Sequence, residues 1–126
     1  MKRFWIGLAL LAGILIAGLW TASRLGTLHT GICRTLEQAA SAAGDGRWEQ
    51  ADALAAQAQS RWQAGWHFSA TLADHTALDE IDSLFAQAEV YRQSRCAADY
   101  AATCARLSRL IDALQEGHRL SWWNLL

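Results

Sequence analysis

Histidine and carboxylate side chains concentrate in one stretch of the chain, where His67, Asp74, His75, Asp79, Glu80 and Asp82 lie close together in sequence. Imidazole nitrogens and carboxylate oxygens are ligands for divalent cations. On a helix that opens near His75, Asp79 falls one turn further along and Asp82 three residues beyond it, so the three share a face. The spacing matches neither the HExxH motif of zinc peptidases nor an EF-hand loop. Carboxylates are also favoured in the first turn of any helix, because they complement its dipole. The capping reading therefore outweighs the metal reading, and no metal or cofactor is expected. His75 then has a structural role, hydrogen-bonding a backbone carbonyl or Asp79 and fixing the connection between two helices.

The nucleophile candidates carry less. No serine or cysteine stands in a recognisable arrangement with a base and an orienting group, so no catalytic residue is assigned and the protein is read as non-enzymatic. Cys33, Cys96 and Cys104 lack the CxxC spacing of zinc or redox sites. On one helix Cys96 and Cys104 would be roughly 12 Å apart, too far for a disulfide. A bridge from Cys33 to one of them remains open, but three buried thiols acting as small hydrophobes are preferred. His29 and His118 stand alone and are read as solvated or core-edge residues.

The elements that must position these groups are helices. The chain has no proline and 9 glycines, and it is rich in Ala, Leu, Gln and Arg, a composition for an all-α protein whose helices are separated by glycines. Its 11 basic and 12 acidic residues give a formal net charge of -1. The charges are mixed, with none of the basic stripe that nucleic-acid binding requires.

Residues 4–23 carry no charge between Arg3 and Arg24, about 20 residues, the length of a helix that crosses a bilayer's hydrocarbon core. A cleaved signal peptide is the rival reading, but its apolar region is shorter, and Trp20 sits where small residues precede cleavage. A retained transmembrane anchor over 1–23 is therefore expected, followed by a helical domain over 24–126. Lys2, Arg3 and the short N-terminal tail favour a cytoplasmic N-terminus and an extracytoplasmic bundle. Trp5 and Trp20 fall near the ends of the span, where indoles prefer the headgroup layer. Ala9, Gly13 and Ala17 recur every four residues and form a small-residue stripe on which a second membrane helix could pack.

Beyond Arg24, Leu25, Leu28, Ile32, Leu36, Ala39 and Ala43 repeat at three-four spacing, so the membrane helix is expected to continue outward as an amphipathic one, with Gly26 and Gly31 loosening the joint. Gly44-Asp45-Gly46 breaks the pattern, and Asp45 is placed to cap the next helix. That helix presents Trp48, Ala51, Ala55, Ala58, Trp62 and Trp66 on one stripe. Residues 67–75 lack a helical stripe and are expected to be irregular. Thr76 and Asp79 resemble a capping box that opens a third helix with Leu78, Ile81, Phe85 and Ala88 inward. A polar break near Arg92 to Arg95 precedes a fourth helix with Ala97, Tyr100, Cys104, Leu107, Ile111 and Leu114 inward, ended by Gly117 as a C-cap. The architecture predicted is an N-terminal transmembrane helix continuing into an up-down antiparallel bundle of about four helices.

Up-down topology returns Trp66, Trp122 and Trp123 toward the level of Trp20, so these tryptophans are candidate membrane-interface residues. An apolar tail that packs into the open end of the bundle is an equal alternative for Trp122 and Trp123.

The N-terminal span, the pattern Gly46, Trp48, Ala51 with Trp62 beyond it, the Asp74-His75 pair ahead of Leu78-Asp79-Glu80-Ile81, and the closing Asn124-Leu125-Leu126 together carry a resemblance. The chain resembles the bacterial family catalogued as domain of unknown function forty-three sixty-three, small membrane-anchored helical proteins. The resemblance covers nearly the whole chain and implies no activity. The chain departs from the family's lysine- and glutamate-rich character in being rich in alanine and arginine.

Two functional classes follow. The favoured one is a non-enzymatic adaptor or assembly component of the cell envelope, whose partners are the lipid bilayer and either an envelope protein or a second copy of the chain. The alternative is a ligand- or metal-binding sensor module that uses the loop from His67 to Asp82.

Overall fold

The computed structural model describes the backbone of residues 1–72 and 75–125, and all of their side chains except those at 22, 25, 67–72 and 118–125. Four helices follow in order: α1 (Lys2–Gly44), α2 (Trp48–Leu72), α3 (His75–Gln93) and α4 (Ala97–Leu125). No strand occurs among the described residues.

The 43 residues of α1 form one unbroken helix, about 64 Å long at 1.5 Å per residue. Its halves have opposite surroundings. In the first, Phe4, Leu8, Leu11, Leu15 and Leu19 are exposed, and nothing in the most apolar stretch is buried. Among the described residues this is the one helix long and apolar enough to cross a membrane. In the second half Ile32, Cys33, Leu36, Ala39 and Ala43 are buried, at the three-four spacing that puts them on one face. Gly26 and Gly31 lie within the helix without interrupting it.

Each hairpin turn at the far end of the bundle is a Schellman cap. At the end of α1, the Arg47 amide donates to the Ala42 carbonyl at 2.8 Å and the Gly46 amide to Ala43 at 3.1 Å, with Gly46 at φ 77°. At the end of α3, the Cys96 amide donates to Tyr91 at 3.0 Å and the Arg95 amide to Arg92 at 3.2 Å. Arg95 takes the left-handed position there at φ 57°, a conformation that costs a residue with a Cβ roughly 1–2 kcal/mol.

The bundle is closed unevenly. Helix α1 packs along α2 and α4, and α4 along α3; of the four adjacent pairs, α2 and α3 have the least extensive packing among the described residues. The core joins Ile32, Leu36, Trp62, Leu78, Ile81, Tyr100, Leu107 and Ile111. Small residues on α1 and α2, among them Ala39, Ala51 and Ala58, are fully buried and let those two helices lie close.

Several boundaries differ from the sequence expectation. Residues 67–72 continue α2, since neither glycine nor proline interrupts them. Gly117 does not end α4, which runs to Leu125; one internal glycine costs about 1 kcal/mol, and no proline follows to stop the helix. Asp45 is the C-cap of α1, and its carboxylate holds Arg47 at 2.9 Å instead of capping α2. His75 opens α3, so Thr76 sits inside the first turn. Of the expected inward positions, Leu78, Ile81, Phe85 and Ala88 on α3 and Tyr100, Cys104, Leu107 and Ile111 on α4 are buried, while Ala97 and Leu114, at the two ends of the α4 series, are half-buried.

Candidate functional site

Trp62 organises the seam between α2 and α3. Its indole is 2 % exposed, and Nε1 donates to Asp82 Oδ1 at 2.7 Å. A buried indole N–H needs such an acceptor. The same ring stacks on Phe85 at 6.2 Å between centroids and meets His29 of α1 at 6.4 Å. Trp62 thus joins three helices where α2 and α3 stand apart. Beside it lies an open groove of about 390 Å³, lined by Gln59, Gln63, Trp66, Ala86 and Glu89 among others.

Further out along the seam, Asp52 of α2 receives two arginines. Arg92 Nη1 lies 2.8 Å from Oδ1 and Arg95 Nη1 3.1 Å from the same atom. The hydrogen bond from Arg92 holds the Asp52 carboxyl below the usual carboxylate range; burial pushes it back upward, and the hydrogen bond from Arg95 then lowers it further. The Arg95 guanidinium also lies 5.1 Å above the Trp48 ring, and Trp48 meets Tyr100 at 6.3 Å.

A second groove, of about 680 Å³, runs between α1 and α2 where the apolar half of α1 ends, lined by Trp20, Arg24, Thr27, Leu28, Arg61 and Gly65 among others. The helices are close here: a Cβ on Gly65 would lie 2.7 Å from Leu28 Cδ2. The Arg24 guanidinium sits 4.7 Å from the Trp20 ring centroid, and Arg61 Nη1 reaches Thr35 Oγ1 at 3.4 Å.

The buried nucleophiles are passivated. Cys33 Sγ lies 3.6 Å from the Ser108 carbonyl oxygen and 3.7 Å from Asp112 Oδ1. Burial first, then the Asp112 charge, pushes this thiol up to about 12, and burial pushes Cys104 up to about 11. Such thiols are not thiolate nucleophiles at neutral pH. Tyr100 is raised as well, chiefly by burial. Cys96 departs from the expectation of three buried thiols: all three are free and Cys96 is exposed, because it follows Arg95 in the α3–α4 turn.

The sequence candidates separate. His75 and Asp79 are exposed on the first turns of α3, and Asp82 is engaged by Trp62. Among the described residues no group of three or more His, Cys, Asp or Glu side chains is placed to hold a metal ion. Glu80 meets Arg106 of α4 at 3.5 Å. Asp74, and the side chains of His67, His118, Trp122 and Trp123, lie outside the described residues. Ala9, Gly13 and Ala17 are exposed, and a Cβ on Gly13 would touch nothing within 4 Å. Trp20 is exposed at the groove, and Trp66 packs half-buried against the core. His29 is corrected from a solvated or edge residue to a core one, 1 % exposed, because it shares the helical face of Ile32 and Leu36. The Arg24–Arg61 groove and the Asp52 network join helices distant in sequence, so no local motif announces them; the helical level implied by the two hairpins is the only signal that would have paired them.

A long helix whose apolar half stands free and whose other half is the spine of a four-helix bundle defines the class. The chain belongs to the family described as domain of unknown function (DUF4363), whose model matches residues 19–125. Neither the curated proteins nor the solved structures yield a match.

Proposed function

We propose that this is a single-pass membrane protein whose helical bundle works as a non-enzymatic adaptor or assembly component of the cell envelope. The observation that carries this reading is the division of α1 into a wholly exposed apolar half and a buried half within one helix. An exposed apolar surface of that length on a soluble protein would drive aggregation; in a bilayer it is the favoured surface. The bundle is then carried outward on the continuation of the same helix. Its core packs cysteine, tyrosine and histidine as structural residues. The α2–α3 seam, with Trp62, Phe85 and the adjoining groove, supports a surface for a protein partner, and Ala9, Gly13 and Ala17 support contact with a second membrane helix.

The test uses the native exposed thiol. In intact cells a membrane-impermeant maleimide labels Cys96 if the far end of the bundle is extracytoplasmic, with Cys96→Ser as the blank. Labelling only after lysis reverses the topology, and extraction of the chain by alkaline carbonate overturns the anchor. Replacing Ala9, Gly13 and Ala17 together by leucine is expected to abolish association in the bilayer without altering placement; association that persists removes the stripe from the proposal.

A further inference from the structure

Contacts between α1 and α4 set the antiparallel register of the two helices. Cys33 Sγ lies 3.6 Å from the Ser108 carbonyl oxygen and 3.7 Å from Asp112, and the Gln115 amide nitrogen lies 3.0 Å from where a Cβ on Gly26 would stand. Carried along two helices of equal rise, this register puts Arg119 level with about residues 22–26 of α1, and Leu125, where α4 ends, level with about residues 16–20. Helix α2 stops higher. The approach of Leu28 to Gly65 and of Thr35 to Arg61 puts Leu72, its last residue, level with about residues 20–24. Of the two helices packed along α1, only α4 passes clearly below Arg24.

The sequence changes character at the same height. Arg24 is the first charged residue after the uncharged stretch of α1, and Arg119 is the last charged residue of α4; residues 120–125 carry no charge and include Trp122 and Trp123. Two helices far apart in sequence thus lose their charges at one level. On α4, Ala105, Arg109, Ala113 and Glu116 are exposed, and the same helical phase next reaches Leu120 and Trp123, at steps of four and three. The outward face of α4 turns from charged to apolar where Arg24 stands on α1.

We infer that the last two turns of α4, residues 119–125, enter the headgroup layer and upper acyl region of the bilayer, as a second attachment beside α1. The inference rests on the reading of α1 as a membrane span. With residues 4–23 in the hydrocarbon core, Leu125 lies about 5–10 Å below its edge, a depth reached by interfacial helices. Indoles are favoured in that layer. The outward phase of Leu120 and Trp123 selects the bilayer over the open end of the bundle, because the core lies against the opposite face of α4.

The test attaches an environment-sensitive fluorophore through a thiol to the full chain in phosphatidylcholine vesicles. Cys96→Ser removes the exposed native thiol, and Cys33 and Cys104 are buried. Probes at Trp123→Cys, at Ile16→Cys in the span and at Ser83→Cys on the exposed face of α3 are quenched by a nitroxide on the upper acyl chain or by aqueous iodide. The probe at residue 123 is quenched by the nitroxide lipid about threefold more than the probe at residue 83, and by iodide about threefold less. Asn124→Cys, which keeps both tryptophans, gives the same pattern. Equal quenching at residues 123 and 83 puts the end of α4 in water and overturns the inference. Shielding from both quenchers packs it into the bundle and also overturns it. The probe at Ile16 reports the span separately: nitroxide quenching at residue 16 with none at residue 123 keeps the span and removes the second attachment, whereas none at residue 16 removes the span and the inference with it.

Discussion

The indole of Trp62 and the carboxylate of Asp82 close the α2–α3 seam with one 2.7 Å hydrogen bond, at the level where His29, Trp62 and Phe85 form a row of rings across three helices. The bond crosses the adjacent pair of helices whose packing is least extensive among the described residues. Trp62→Phe keeps most of the packing and leaves Asp82 without its donor, at a cost of about 1–2 kcal/mol. Trp62→Ala adds a cavity and costs about 3–5 kcal/mol. Urea unfolding of the full chain in detergent, followed by circular dichroism, measures both; equal losses for the two variants would mean that the hydrogen bond, and not the ring, holds the seam.

Asp52 gives the seam a pH dependence. Its folded carboxyl titrates below the unfolded one, chiefly through Arg92, so its contribution is complete above the unfolded value of roughly 4 and disappears as the pH falls through the lower folded value. The pairs are partly exposed, which limits the contribution to about 0.5–1 kcal/mol. Asp52→Asn is expected to lower the melting temperature at neutral pH and to leave it unchanged in strong acid. A deficit of constant size across that range would assign the effect to packing.

The two hairpin turns make opposite demands on glycine. Gly46→Ala meets open space, yet the positive φ costs the variant about 1 kcal/mol. Arg95→Gly relieves the same strain and surrenders the contacts with Asp52 and Trp48, so its stability stays within about 0.5 kcal/mol of the parent. Thermal melts of the two variants compare these directly.

Thiol chemistry should be singular. A maleimide at neutral pH modifies Cys96 alone in the folded chain, and Cys33 and Cys104 react only after denaturation, because burial has raised both thiols. Intact mass spectrometry counts the adducts; a second adduct on folded protein would mean that the core opens at Cys33 or Cys104.

Much of the fold was legible because burial repeats with the helical period. Ile32, Leu36 and Ala39 on α1, and Tyr100, Cys104, Leu107 and Ile111 on α4, are spaced as a helix face requires. The ends were less legible. Gly117 has the composition of a cap but lacks a following breaker, and the extra turns of α2 and α4 depend on continuity that periodicity does not record. His29 is polar by type but in phase with Ile32 and Leu36 on α1, and the phase decides its burial. The bonds that join α2 to α3 were out of reach for a further reason: Trp62 and Asp82 belong to separate elements, as do Asp52 and Arg92, and only the lateral placement of whole helices brings them together.

The unbroken course of α1 couples rotation as well as position. Successive residues on a helix are displaced by about 100° around its axis, so packing of Ile32, Leu36 and Ala39 against α2 and α4 fixes the azimuth of every residue on the same rod, including Ala9, Gly13 and Ala17. Two chains that paired through that stripe would hold their α2–α3 seams at a set angle to one another.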